Sequence, residues 1–425
     1  MTKKEKKTRN ENPPRKAIAP RLDQRQVELK HILFDGKKAV LDYPPLWVTV
    51  AITGGCAFKC DFCCNHSPDS GKHERTSHQY KMNFMMADED FEKIVSMCHE
   101  ASVPHLHICG AGEPFIHPKI LKFIDHLIDV YSKTSIQTDF HKALFEKKGY
   151  NDEIIKRGSR ITFITTDIFG EEDHERIKKG SDFDYLLHSM EKISRHTDIL
   201  FKAHVILTKQ SYRGIPELMR ELHRRKVNFR LEFVNLFASD FNPYTSIDNA
   251  YMSSDADIAE ELERVRRDAE QLGIDIDIPP PFDLFNAAGD PCVEFWKKVQ
   301  LIPSKNIPKE KWAGNAIPQQ CPAVVSGDLF SIGNLFEYDT FMEFWNNDLL
   351  VGLRRAMMDG QLPDEACKTC YVGYRGSFRK VGVEERTWPV IQSAYHRLPI
   401  SPVAKGWLSS VKRAIVGHSR GAEPR

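Results

Sequence analysis

No run of this chain stays apolar over the roughly 20 residues that a membrane-spanning helix needs. Neither sign of charge prevails: 60 Lys and Arg stand against 59 Asp and Glu. That balance creates no global field to draw the protein to nucleic acid or to a membrane surface. The basic N-terminus has no apolar core behind it, so it does not read as a secretory signal. Nothing repeats at the periods of solenoid proteins. What is left is a globular composition, with 41% hydrophobic and 10% aromatic residues. A length of 425 residues points to two domains, or to one large domain with an appendage.

Cysteine is where the composition becomes specific. Ten would suit a secreted, disulfide-bonded protein only in a far shorter chain. Cys56, Cys60, Cys63 and Cys64 lie near the start, Cys292, Cys321, Cys367 and Cys370 near the end, and Cys98 and Cys109 between. Grouped cysteines of this kind read as metal or cluster ligands. A reducing cytoplasm is the setting that would keep them.

Residues 1–40 are polar and basic and are expected to form a flexible extension. A strand–helix rhythm follows. Strand-like runs occur at 46–52, 105–109, 134–138, 161–165, 200–207 and 229–234, with helical spacing between them. Such alternation predicts a parallel sheet with right-handed crossovers. Six units in so short a span predict a partial barrel, because a full eight-fold one takes about 250 residues. Pro279-Pro280-Pro281 marks the expected boundary. The division is then 1–40 extension, 41–280 barrel, 281–380 a smaller cysteine-bearing domain, and 381–425 a tail.

Cys56, Cys60 and Cys63 sit in a loop directly after the first strand, at spacings of four and three. Three thiolates can hold three irons of a cubane cluster and leave the fourth open to a small-molecule ligand. The alternative is zinc, which normally takes four protein ligands in a closed structural site. Cys64 could be nominated as the fourth, although adjacent ligands make awkward geometry. Barrel catalytic groups gather at the C-terminal ends of strands, and this loop obeys that rule. So does Gly110-Ala111-Gly112-Glu113-Pro114, one strand–helix unit later.

The C-x3-C-x2-C spacing, with Phe62 before the last cysteine, resembles the signature of the radical S-adenosylmethionine (SAM) enzymes. The Gly110–Pro114 run resembles that family's "GGE" motif. The resemblance implies a SAM-binding 4Fe–4S cluster on Cys56, Cys60 and Cys63. It implies a SAM site that uses Phe62, Gly110, Gly112, Glu113 and Pro114, with Glu113 on the ammonium group. Thr138, in Gln137-Thr138-Asp139, and Thr165 and Asp167, in Thr165-Thr166-Asp167, fall where the family has further cofactor contacts. Asp173-His174 and Lys179-Gly180 extend the likeness. In the family, SAM is cleaved to a 5′-deoxyadenosyl radical that removes a substrate hydrogen.

The later cysteines resemble the SPASM/twitch extension of the same family: Cys292 beside aromatics, Ile332-Gly333-Asn334, Phe344-Trp345-Asn346, then Cys367-Lys368-Thr369-Cys370. A full SPASM domain has three more cysteines, and none follows Cys370. Cys292, Cys321, Cys367 and Cys370 therefore imply one auxiliary 4Fe–4S cluster; a four-cysteine zinc site is the other reading. The expected fold class is α/β, a partial (β/α)6 TIM-like barrel with a small C-terminal SPASM/twitch-like cluster domain.

Candidate catalytic groups are fewer. Arg230 and Glu232 alternate with Phe229 and Leu231, so one face of the sixth strand carries two charges. Buried charges need partners, in a site or in a structural Arg–Glu network. His204 on the fifth strand is similar. Cys64 and Cys109 are candidates for returning a hydrogen to a substrate radical, as a non-ligand cysteine does in some epimerases of the family; packing is the plainer role for each. The expected function is oxidation or epimerisation of a small sugar-like or natural-product substrate. Electrons would come from a flavodoxin or ferredoxin, as the family implies. Roughly 45 residues before the first strand seem too few for a leader-peptide-binding module, which weighs against a peptide-modifying maturase. A non-enzymatic zinc-binding protein is the remaining alternative.

Overall fold

The computed structural model describes residues 38–63, 66–69, 84–109, 111–236, 243–252, 254–278, 294–301, 316–317 and 335–359. All belong to one compact unit, Gly36–Glu385. Its centre is a nine-stranded sheet. In chain order the strands are β1 (Trp47–Ala51), β2 (Leu106–Cys109), β3 (Thr134–Gln137), β4 (Ile161–Asp167), β5 (Leu200–Leu207), β6 (Phe229–Asn235), β7 (Ile276–Asp277), β8 (Lys298–Leu301) and β9 (Ala316–Ile317). They lie side by side as β9-β8-β1-β2-β3-β4-β5-β6-β7. Every neighbouring pair is parallel except β8 with β9.

The six expected strand–helix units are all present, in sequence order across the sheet from β1 to β6. Helices α1 (Asp88–Glu100), α2 (Ile120–Tyr131), α3 (Lys142–Lys148), α4 (Tyr150–Arg157), α5 (Glu171–Ile177), α6 (Phe183–His196), α7 (Ile215–Arg224) and α8 (Ala256–Leu272) follow the strands. Their apolar stripes cover one face of the sheet. Ile215, Leu218, Met219 and Leu222 of α7 are buried, and so are Ile258, Leu262, Val265 and Ala269 of α8. Beneath them lie Val48, Val50, Ile108, Ile136, Ile164, Phe201, Val205 and Leu231, all fully buried in one core.

The opposite face is polar and concave. In a flat sheet β1 and β5 would be about 19 Å apart, four strand spacings. Yet Lys202 Nζ on β5 lies 6.0 Å from the Trp47 ring on β1. The sheet therefore curls into a trough, as a partial barrel requires. Strand β8, from beyond the Pro279–Pro281 break, continues the same sheet next to β1.

The chain entering β1 is clasped by residues from late in the sequence. Asn346 exchanges two hydrogen bonds with Leu41, its Oδ1 accepting at 2.7 Å and its Nδ2 donating at 2.8 Å. Trp345 Nε1 donates to Tyr43 O. Fully buried Arg354, on helix α9 (Asp348–Met358), donates to the carbonyls of Ala39, Phe295 and Trp345. A planar five-donor group is suited to gathering several carbonyls at once.

Candidate active site

The cysteine loop leaves the C-terminal end of β1 and is fixed on three sides. Gly54 N–H donates to Phe84 O, and Met86 N–H to Ile52 O. Lys59 and Cys60 pair antiparallel with Lys179 and Lys178, as a two-stranded ribbon. On the third side Glu113 N–H donates to Gly55 O at 2.8 Å. There the backbones touch: a Cβ on Gly112 would lie 1.9 Å from Gly55 O. The glycine of the Gly-Glu-Pro turn is thus explained by its approach to the cysteine loop. Cys56 and Cys63 are half-buried and Cys60 is buried. Burial first, then the charge of Glu113, pushes the Cys56 thiol up to about 12; burial raises Cys60 as well. Such thiols ionise only against a strong positive charge, which bound iron supplies. Among the described residues no three His, Cys, Asp or Glu side chains converge as ligands of a single ion would. Three thiolates that each take a different iron need no such convergence. Cys64 and Gly110 lie outside the described residues.

Next to this loop sits a network of buried acids. Glu113 is 3% exposed. Its carboxylate accepts from Phe115 N–H, from the Thr138 hydroxyl at 2.7 Å and from Asp139 N–H at 2.9 Å. Burial, and then neighbouring Asp139, still push its pKa up to about 7. Asp139 Oδ1 accepts from Thr166 Oγ1 and from Asp167 N–H, and pairs with Lys178 at 2.7 Å. Asp167 is also raised, by burial first and then by Asp139. Lys178 is fully buried and donates to Asp167 O at 2.6 Å. Three acids thus surround one lysine, and a ligand that brings an ammonium group fits that imbalance. Thr138 and Thr165 are joined by a backbone bond, Thr138 N–H to Thr165 O.

Deeper in the trough the inward positions are polar. Ser135 Oγ lies 2.6 Å from His105 Nε2 and 2.7 Å from His107 Nδ1. Burial lowers both imidazoles, His105 to about 4, so both are neutral. Cys109 Sγ donates to Gln137 Oε1 at 2.6 Å. Lys202 lies over the Phe163 ring at 4.1 Å and reaches Glu232 at 3.5 Å. Arg230 Nε is also 3.5 Å from Glu232, and His204 Nε2 is 3.1 Å from it. These side chains lie far inside the protein, yet Asp139, Asp167, Lys202, His204 and Glu232 keep 15–22% exposure. Deep but wet side chains mark an open cleft.

The structure therefore brings Glu113, Thr138, Thr165 and Asp167 together beside the cysteine loop, and places Arg230, Glu232 and Cys109 on the trough wall. Pro114 opens a buried single turn that Glu113 caps. Phe62 turns toward Phe169 and Tyr244, at ring distances of 5.7 and 6.5 Å, in a satellite apolar cluster. Cys292, Cys321, Cys367 and Cys370 lie outside the described residues. Sequence reasoning missed Lys178, Lys202 and the His105–Ser135–His107 group. Lysines usually read as solvated. The alternation of Lys202 and His204 with Phe201, Ala203 and Val205 was the available signal.

Residues 50–236 match the family model of the Radical SAM superfamily, and that span is a radical SAM domain. Its cofactors are a 4Fe–4S cluster and SAM. No curated protein matches the chain in sequence. Among solved structures it resembles Streptococcus suis SuiB bound to S-adenosylmethionine, at 19% identity and a TM-score of 0.55, over 83% of this chain and 79% of that one. It also resembles anSMEcpe with bound AdoMet, at 15% identity and a TM-score of 0.54, over 83% of this chain and 100% of that one. At such identities the likeness is one of fold.

Proposed function

We propose that this protein oxidises or epimerises a small sugar-like or natural-product molecule by radical chemistry, with the help of one auxiliary 4Fe–4S cluster on Cys292, Cys321, Cys367 and Cys370. The observation that carries the reading is the joint placement of the cysteine loop and the acid network at the mouth of a wet, charged trough. Cys56, Cys60 and Cys63 would hold the first cluster. Glu113, with its backbone tied to Gly55, would meet the SAM ammonium, and Thr138, Thr165 and Asp167 would line the rest of that site. When bound, the cluster and SAM supply a 5′-deoxyadenosyl radical able to remove a hydrogen atom from carbon. The trough excludes bulk water and presents Cys109, Gln137, Asp167, His204 and Glu232 to whatever lies beside that radical.

A second reading, modification of a ribosomal peptide, is favoured by the company the fold keeps. SuiB has been solved with the precursor peptide SuiA, and anSMEcpe with the Kp18Cys peptide. A zinc-binding module is disfavoured by the family match.

The test is metal and sulfide content after anaerobic reconstitution, with dithionite-driven SAM cleavage, for wild type and the Cys56/Cys60/Cys63→Ala variant. The expected result is about eight irons falling to about four in the variant, with loss of 5′-deoxyadenosine. Stoichiometric zinc without SAM cleavage would sink the enzyme reading. Four irons in wild type would sink the auxiliary cluster alone.

A further inference from the structure

His204 is bonded on one side only. Its Nε2 meets Glu232 Oε2 at 3.1 Å. Glu232 stays ionised despite its depth: burial works against its charge, but Lys202, the hydrogen bond with His204, and Arg230 together hold its pKa well below the usual carboxylate range. An ionised carboxylate only accepts hydrogen bonds. The hydrogen of the neutral ring is therefore on Nε2, and Nδ1 carries the open lone pair. Nδ1 makes no hydrogen bond; Asp167 Oδ1 lies 3.8 Å away, beyond that range. The ring keeps 22% exposure, at the C-terminal half of β5, in register with Asp167. The charged groups facing it are Asp167 of β4, Lys202 of its own strand, and Arg230 and Glu232 of β6. A core histidine present for packing would be satisfied at both nitrogens or sealed from solvent. This one is a base held in orientation by a buried carboxylate, with its free nitrogen facing the trough.

We propose that His204 is the catalytic base of this protein, positioned by Glu232, and that it accepts the proton of a substrate hydroxyl or amine borne by the carbon that loses hydrogen. This rests on the radical reading above. The balance is H–C–X–H to C=X, with X oxygen or nitrogen. The carbon gives a hydrogen atom to the adenosyl radical, X–H gives its proton to His204 Nδ1, and one electron leaves to an oxidised iron–sulfur cluster. Epimerisation returns a hydrogen atom to the same carbon and needs no proton acceptor. The geometry therefore points to oxidation, and to substrates with an alcohol or amine at the reacting carbon.

The first readout is the ring itself. In cluster-loaded protein labelled with [15N]histidine, the His204 signals are identified by their loss in His204→Gln. Wild type is expected to carry hydrogen on Nε2 and a bare Nδ1, and Glu232→Gln to populate both tautomers. Hydrogen on Nδ1 in wild type, or an unchanged tautomer in Glu232→Gln, overturns the proposal. Diethyl pyrocarbonate should modify His204 about tenfold faster than His107, whose Nδ1 is bonded to Ser135; a protected His204 overturns it too. Sugars, aminocyclitols and Ser- or Cys-containing peptides, supplied with SAM and dithionite, give the third readout. The first compound oxidised by wild type should be oxidised about 10²–10⁴-fold more slowly by His204→Gln. Equal rates, or an epimerised product, refute the assignment. SAM cleavage by wild type in the same preparation reports on the radical reading separately, so the two can fail independently.

Discussion

Replacing Gly112 by alanine tests whether the two cofactor loops act as one unit. The added Cβ would meet three backbone atoms: Gly55 O at 1.9 Å, Gly55 C at 2.5 Å and Gly54 C at 2.9 Å. None is the end of a flexible side chain, so one loop must move. Relief to an ordinary contact needs a shift of roughly 1.3 Å. Overpacking of this kind costs about 1–3 kcal/mol. The hydrogen bond from Glu113 N–H to Gly55 O goes with it, for about 1 kcal/mol more. Gly112→Ala should thus lose about 2–4 kcal/mol in urea unfolding. A misplacement near 1 Å between cluster and acid network should slow dithionite-driven SAM cleavage about 10²-fold at matched iron content. The control is Gly352→Ala, on the exposed face of α9, where the new Cβ meets nothing within 4 Å. It should stabilise by about 0.5–1 kcal/mol, since glycine is a poor helix former. If Gly112→Ala unfolds with wild type and cleaves SAM at the wild-type rate, the loops are not coupled as argued.

Three further outcomes follow from the interior charges. Lys178→Met should cost about 3–5 kcal/mol in chemical denaturation, because it strands Asp139 and Asp167 without their buried cation; a loss below about 1 kcal/mol would contradict their pairing. Ser135→Ala removes the shared partner of His105 and His107 and should destabilise by about 1–3 kcal/mol, while a neutral result would mean that water replaces the hydroxyl. For Glu113, the folded pKa of about 7 lies above the ordinary 4.5. Below pH 4.5 the group is protonated in both states and has no effect. Between pH 4.5 and 7 the unfolded chain ionises first, so ligand-free protein should lose stability as pH rises and level off above 7. The drop is about 3 kcal/mol. Denaturation midpoints in Glu113→Gln should lack it, and a Glu113→Gln protein with the same slope would assign the effect elsewhere.

The parts of this fold legible in sequence are those set by period. Val48, Val50 and Ile52 alternate with Trp47, Thr49 and Ala51, and that alternation located β1 and its two faces. The helical spacing of Ile258, Leu262, Val265 and Ala269 located α8. Cys56, Cys60, Cys63 and the Gly112–Pro114 turn were legible because cluster and backbone chemistry dictate spacing. The lysine at 178 was not, since its value comes from Asp139 and Asp167, neither of them adjacent in sequence. Strand β8 was hidden for the same reason. Its four residues, Lys298–Leu301, have too short a pattern to announce a parallel partner some 250 positions upstream. Gly112 was read as leaving room for a ligand, whereas the neighbour it admits is the protein's own backbone.

That pairing of β1 with β8 also orders events during synthesis. The strand that carries the cysteine loop is made early, but its outer edge stays open until Lys298–Leu301 emerges. The clasp of Asn346 and Arg354 on residues 39–41 must wait for still later residues. An unpaired edge is a template for aggregation, and such distant contacts slow folding. On the ribosome, then, the first strand made is the last to be enclosed. Its loop can be filled with iron in a lasting way only after the chain has grown past Arg354, so cluster insertion follows translation and does not accompany it.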